Sequence, residues 1–280
     1  MLMADQMVTA LSDPGPPQFA ERSLEAPPVL TVSAVTKRFG GVVAVRDVSL
    51  EVPRETIVSI IGPNGAGKTS LFNMISGFYR PTSGRIAFEG RDITGHRPNR
   101  IAGMGIGRTF QNIALFNGLS VLDNIMLGRH VHMRYGPLQS IVYWGVARRE
   151  EIVHRARCEE IIDFLGLQDV RKQPTGTLAY GLRKRVELAR ALAVEPRLLL
   201  LDEPMSGMNQ EEKADMARFI LDVNQEWRVT LLLIEHDMGA VMDISEHVVV
   251  LDSGRCIAAG RPQQVQADPA VIAAYLGIAR

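Results

Sequence analysis

No apolar run in this 280-residue sequence is long enough to cross a bilayer. Any membrane role is therefore expected to come through a partner. The first residues lack a basic region followed by an apolar stretch, so no signal peptide is expected. An excess of one charge is also missing. The 31 Lys and Arg balance 31 Asp and Glu, which argues against a dedicated nucleic-acid binder while leaving room for a local basic patch. Cysteine is scarce. Cys158 and Cys256 stand far apart and match no metal or redox spacing, so both are expected as reduced cytoplasmic thiols. His130 and His132 have no further Cys or His at ligand spacing, which argues against a metal centre there. No internal repeat is present. What remains is an ordinary globular composition, 46% hydrophobic and 22% charged, with length for one large domain or two small ones.

One stretch carries a strong chemical signal. Gly62-Pro63-Asn64-Gly65-Ala66-Gly67-Lys68-Thr69 fits the phosphate-cradling pattern G-x-x-x-x-G-K-[ST]. The β-branched run Ile57 to Ile61 before it reads as a buried parallel strand. Ser70 to Ser76 after it reads as a helix, with Gly77 placed to end it. A strand, a glycine-rich turn and a helix start make an anion site, because backbone N–H groups converge there and the helix dipole favours negative charge. Gly65 and Gly67 have no Cβ to hold a ligand away from the backbone. Lys68 is expected to reach the terminal phosphates, and the Thr69 hydroxyl to ligate Mg²⁺. The whole segment from Gly62 to Ser70 is the expected nucleotide cradle.

Along the chain, residues 1–28 carry Pro14, Pro16, Pro17, Pro27 and Pro28 and no surviving apolar period, so a mobile leader is expected. Leu30 to Val35 and Val48 to Val52 alternate as half-buried antiparallel strands. Phe39-Gly40-Gly41 lies between them, and the Phe39 ring is either packing or a flat surface for an adenine. Pro81 to Gly84 reads as a turn before a strand over 85–90. A helix is expected from about Arg149 to Leu165, with Ile152, Ala156, Ile161, Ile162 and Leu165 as its apolar positions and Gly166 as its stop. Gly128 to Arg149 is irregular and rich in Arg and His. It reads as a solvated face or as a docking surface for a protein or lipid head groups. Thr177 to Leu182 reads as a loop opening a helix from Arg183 to Val194. Leu198 to Leu201 and Thr230 to Ile234 read as central buried strands, with a helix from Gln210 to Gln225 between them. Val248 to Leu251 and Cys256 to Ala259 form a hairpin across Ser253-Gly254, and Pro269 to Leu276 a short final helix.

Strands separated by helices, with polar residues at strand C-termini, describe an α/β sheet whose ligand sits at those ends. Asp202 follows a four-leucine strand, and a carboxylate there is costly unless it meets a cation. Mg²⁺ shared with Thr69 is the expected partner. Glu203 is placed to polarise an attacking water. His236 ends another strand at the same edge, either solvated or against the γ-phosphate. Gln111 is notable only for its position at a strand end.

In this order the motifs resemble the ATP-binding subunit of ABC transporters, over about residues 29–277. Gly62 to Thr69 looks like Walker A, and Leu198 to Glu203 like Walker B with Glu203 as catalytic base. Gln111 looks like the Q-loop glutamine, which touches Mg²⁺ and senses the membrane partner, and His236 like the switch histidine. Phe39 fits the adenine-stacking aromatic. The signature loop departs from Leu-Ser-Gly-Gly-Gln: here it reads Leu178-Ala179-Tyr180-Gly181-Leu182, keeping Gly181 as the expected contact to ATP held by the opposite subunit. Asn209 stands where the family usually has Asp. Leu-Ala-Tyr-Gly, Phe39-Gly40-Gly41, Ile234 to Met238 and the tail Asp268 to Gly277 are similar to the branch serving branched-chain amino acid uptake.

The resemblance implies an α/β P-loop NTPase with a mostly parallel core sheet, an antiparallel β subdomain and a helical subdomain over roughly 112–180. It implies an ATPase using ATP and Mg²⁺ at the cytoplasmic face of the inner membrane. Its partners would be transmembrane permease subunits, a second ATP-binding subunit (homo- or heterodimer) and, indirectly, a periplasmic solute-binding protein, with no nucleic acid. An exporter ATPase such as one for lipopolysaccharide, a soluble non-transport ABC ATPase and a weakly hydrolysing scaffold remain as alternatives.

Overall fold

The computed structural model describes residues 27–132 and 146–276. Residues 1–26 of the expected leader, residues 133–145 of the stretch expected to be irregular, and residues 277–280 lie outside them.

Two sheets organise these residues. The smaller is antiparallel, in the order β2-β1-β4-β5, from β1 (Leu30–Phe39), β2 (Val42–Val52), β4 (Ser83–Phe88) and β5 (Arg91–Asp92). The larger has the order β10-β9-β3-β8-β7-β6, from β3 (Ile57–Ile61), β6 (Ile106–Arg108), β7 (Leu198–Asp202), β8 (Thr230–Ile234), β9 (His247–Asp252) and β10 (Arg255–Gly260). Every pairing in it is parallel except the β9–β10 hairpin.

Every residue of β3, β7 and β8 is buried, because both faces of this sheet are covered. Side chains alternate between the two faces with period 2. Leu199, Leu201, Leu231 and Leu233 join a core with α3 (Val121–Gly128), α4 (Val146–Phe164), α5 (Tyr180–Leu192) and α6 (Gln210–Gln225). Leu198, Leu200, Leu232 and Ile234 face the other way, onto the small sheet and α1 (Lys68–Ile75). Continuous leucine runs are what such a doubly covered strand requires.

Four local readings change. The long helix turns a different face to the core. His154, Cys158, Ile161, Ile162 and Leu165 are buried, whereas Ile152 and Ala156 are exposed. The buried set keeps the i, i+4, i+7 period, so a histidine and a cysteine extend the stripe. Arg129, read as part of a solvated face, is buried and donates to the Ala193 carbonyl oxygen at 2.9 Å. The helix α5 starts at Tyr180, three residues before the expected Arg183, with Ala179 as a cap residue that makes no side-chain bond. Its start has no polar cap for a reader to find. Gly84 lies inside β4, not in the turn before it. There its φ of 87° and its approach to the Ala34 backbone mark a bulge. Three short helices escape any period: α2 (Pro98–Gly103), α7 (Met238–Ile244) and α8 (Pro262–Gln266), while α9 (Pro269–Leu276) matches its expected bounds.

Candidate nucleotide site

Parallel register sets the site. Ile60 pairs with Ile234, Ile234 with Asp202, and Leu200 with Arg108. The C-terminal ends of β3, β8, β7 and β6 therefore stop in one row. Gly62, His236, Glu203 and Gln111 all lie just beyond that row, on four segments far apart in sequence.

The loop 62–67 leaves β3 and enters α1 through Gly67. Its φ of 98° is left-handed, and a Cβ there would stand 2.4 Å from the Ala44 carbonyl oxygen of β2. Glycine is the residue that fits. At Gly65, also at positive φ, a Cβ would meet no protein atom within 4 Å, so that side of the loop is open to an approaching group. Gly67 provides no side-chain cap, and the first N–H groups of α1 have no intrahelical acceptor by helix geometry. Lys68 folds back over the loop, where its Nζ donates to the Gly62 and Pro63 carbonyl oxygens at 2.6 and 3.0 Å. Burial holds the Lys68 amine below its ordinary pKa, against the pull of Glu203 and Asp202. Thr69 is exposed and Ser70 half-buried at the helix start; Pro63 and Asn64 line the outer turn, and Ala66 is buried beneath it.

Asp202 is only 1% exposed. Its Oδ2 accepts from Arg108 Nη2 at 3.1 Å, and its Oδ1 is buried with no partner. Burial raises its pKa, and the Arg108 guanidinium opposes that rise. An unpartnered carboxylate oxygen on the same edge as an exposed Thr69 hydroxyl is the oxygen donor set that a hard divalent cation takes, so these residues fit Mg²⁺. Glu203 follows at a left-handed φ of 51°, its N–H donating to the Ile234 carbonyl oxygen. Gln111 Nε2 donates to Glu203 Oε2 at 3.0 Å, so these two expected site residues meet each other directly. His236 is exposed, its Nδ1 3.9 Å from Glu235 Oε2. Phe39 sits at the β1–β2 hairpin tip, half-exposed, edge-on to Tyr79 at 5.1 Å.

Gly181 belongs to a second cluster. It is buried in the first turn of α5, and a Cβ there would stand 2.3 Å from the Glu212 carboxylate of α6. Beside it, Tyr180 Oη donates to the Ser206 carbonyl oxygen at 3.2 Å. Leu182 packs half-buried against the helical core, and Asn209 caps α6. Both departures from the family pattern thus have local structural employment.

Sequence reasoning missed several buried polar groups. Lys184 of α5 reaches the carbonyl oxygens of Gln111 and Glu203 at 3.4 and 3.3 Å. Glu187 accepts from the Phe110 N–H, and Glu235 from the Met205 N–H at 2.9 Å. Burial raises the pKa of both carboxyls. Arg108 stands in the stretch Ile106 to Gln111 that the sequence places near a strand end, with no role expected of it. The available signal was a charged residue abutting an apolar strand, which has to be paired inside.

The family of ABC transporters matches residues 45–206, which is more than half of the chain. The chain belongs to the ABC transporter family. A second family, described as branched-chain amino acid ATP-binding cassette transporter, matches residues 255–279 of this ABC protein. It is 42% identical over 250 residues to the high-affinity branched-chain amino acid transport ATP-binding protein BraF of Pseudomonas aeruginosa, covering 89% of this chain and 98% of that relative. It is 38% identical over 250 residues to LivG of Escherichia coli, with the same coverage. A solved ATP-binding cassette of an ABC transporter in its ADP conformation superposes with a TM-score of 0.79 at 33% identity, covering 90% of this chain and 100% of that one. A nucleotide-free cassette gives 0.78 at 32% identity, covering 89% and 98%. This ABC protein has the α/β P-loop ATPase fold and is a nucleotide-binding ATPase.

Proposed function

We propose that this chain is the ATP-hydrolysing subunit of an ABC importer for branched-chain amino acids or related small polar solutes. The observation that carries the solute class is the similarity across almost the whole length of relatives named for that transport, including the separate match at residues 255–279.

The chemistry follows from the row of strand ends. Loop 62–67 and the start of α1 bind the phosphates, Phe39 stacks the adenine, and Lys68 exchanges its carbonyl partners for terminal phosphate oxygens. Thr69, Asp202 and Gln111 would hold Mg²⁺, which when bound neutralises charge on the phosphates. Glu203 takes the proton of the attacking water, and His236 contacts the γ-phosphate. Gly181 serves ATP on a second ATP-binding subunit, identical or related. Helices α3 and α4 belong to the helical subdomain, expected over about 112–180, that meets the permease. Its exposed Phe116, Ile152 and Val153 supply apolar contact area. The subunit works at the cytoplasmic face of the inner membrane, with a periplasmic binding protein as indirect partner and no nucleic acid.

Mass spectrometry of proteins co-purifying with the tagged chain from gently solubilised membranes tests this reading. A multi-spanning permease, a second ATPase and an amino-acid-binding protein are expected. Recovery of ribosomal or DNA-repair proteins without membrane proteins would overturn it.

A further inference from the structure

Arg108 occupies the last position of β6, three residues before Gln111, and its side chain is about nine-tenths buried. Its guanidinium is divided between two elements. Nη1 donates to Asn73 Oδ1 at 2.7 Å and to Ser76 Oγ at 2.6 Å, both in the last turn of α1 and its cap. Nη2 donates to Asp202 Oδ2 at 3.1 Å, at the end of β7. The Ser76 hydroxyl donates its own proton to the Phe72 carbonyl oxygen, which leaves its oxygen to accept from Arg108. Three rings enclose the cation: Phe72, Phe78 and Phe110 lie 5.9, 5.6 and 5.2 Å from its central carbon.

Each part of this arrangement has a physical consequence. The rings exclude water, so the Arg108–Asp202 attraction is weakly screened. Asn73 and Ser76 anchor one edge of the planar fork, so the other edge presents Nη2 at a fixed angle, which a lysine on a flexible stem does not reproduce. The anchor is α1, the helix whose other end opens at the phosphate loop. The carboxylate of Asp202 is thereby referenced to the phosphate-binding helix. One of its oxygens accepts from Arg108 and the other, Oδ1, is left without a partner.

We propose that Arg108 is a positioning residue: anchored on Asn73 and Ser76, it holds Asp202 by Oδ2 so that Oδ1 remains available to the magnesium–nucleotide complex. This rests on the reading of Asp202 as the magnesium-side carboxylate. Partners of ligating carboxylates set ligand orientation, and their loss commonly weakens metal affinity.

The test uses the full chain, with calorimetric binding of a non-hydrolysable ATP analogue measured in Mg²⁺ and again in EDTA. The readout is the ratio of the two affinities. Wild type should bind more tightly with Mg²⁺. Arg108→Met should lower the ratio by about tenfold while the EDTA affinity stays within about twofold, a pattern that a merely structural role would not produce. Arg108→Lys keeps charge and bulk but cannot span Asn73, Ser76 and Asp202 together, so its ratio should fall between the two. It decides the matter if the Met variant does not fold. An unchanged ratio in a folded variant, or affinity lost equally in Mg²⁺ and EDTA, would overturn the inference. A wild type without any Mg²⁺ enhancement would instead overturn the reading of the site on which it rests.

Discussion

Lys68 shows how much of this site is decided by single side chains. A buried ammonium is tolerated because two loop carbonyls accept its protons, and those same bonds fold it across the mouth of the phosphate loop. A polyanion offers it stronger, charged acceptors. Lys68→Ala should therefore abolish ATP binding by calorimetry, and an unchanged affinity would remove the loop from the nucleotide site. Glu203→Gln retains the same length and the same left-handed backbone. It should bind ATP normally while single-turnover hydrolysis falls by about 10²–10⁴-fold. Near-normal turnover would exclude Glu203 as base. Gly67 tests the fold of the loop rather than its chemistry. In Gly67→Ala the new methyl meets the Ala44 carbonyl oxygen at a positive φ, so a loss on the order of 1–3 kcal/mol in urea denaturation is expected.

Elements are held in place by caps as much as by propensity. The helix α6 begins with a reciprocal capping box in which Asn209 accepts from the Glu212 N–H at 2.9 Å and Glu212 accepts from the Asn209 N–H at 3.0 Å. Asn209→Ala should cost about 1 kcal/mol, read as a lower midpoint in thermal unfolding, whereas Asn209→Asp should be close to neutral. The helix α7 is capped by Asp237, which also pairs with Lys213 of α6 at 2.7 Å. The Lys213 hydrogen bond, then the Ala240 N–H, hold the Asp237 carboxyl below its ordinary range. A depressed carboxylate contributes stability that is complete above its unfolded pKa and disappears as pH falls through the folded one. Asp237→Asn should accordingly flatten the acid limb of the thermal midpoint against pH. An acid limb identical to wild type would show that the pair contributes nothing.

For the molecule as a whole, the decisive feature is a buried sheet that faces two different covers. The helical cover carries the exposed Ile152 and Val153, 60% and 64% accessible on α4, and Phe116 before α3 at 59%. Isolated apolar residues on a surface need no explanation, but three on one cover suit a partner. Ile152→Asp combined with Val153→Asp should leave ATP affinity intact and reduce recovery of the permease from membranes. Equal recovery would place the membrane contact elsewhere.

The phosphate loop was legible because strand, glycines and helix start are contiguous, so local chemistry alone specifies them. The buried strands were legible for a related reason. Leucine runs satisfy a sheet covered on both faces whatever covers it. The motif order also carried the family, the α/β P-loop architecture and ATP binding, and the comparisons bear these out. Other features depended on tertiary structure. Whether Ile152 or His154 faces the core depends on the rotation of α4 against its neighbours, and the start of α5 has no polar cap to mark it. The short helices span too few residues to show a period. Above all, Arg108 and Asp202 lie 94 positions apart. Gln111 meets Glu203 across 92. Such pairs exist only once parallel register has brought the ends of β6 and β7 together. Residue types at a strand end state that a charge must be answered; the fold determines which residue answers it.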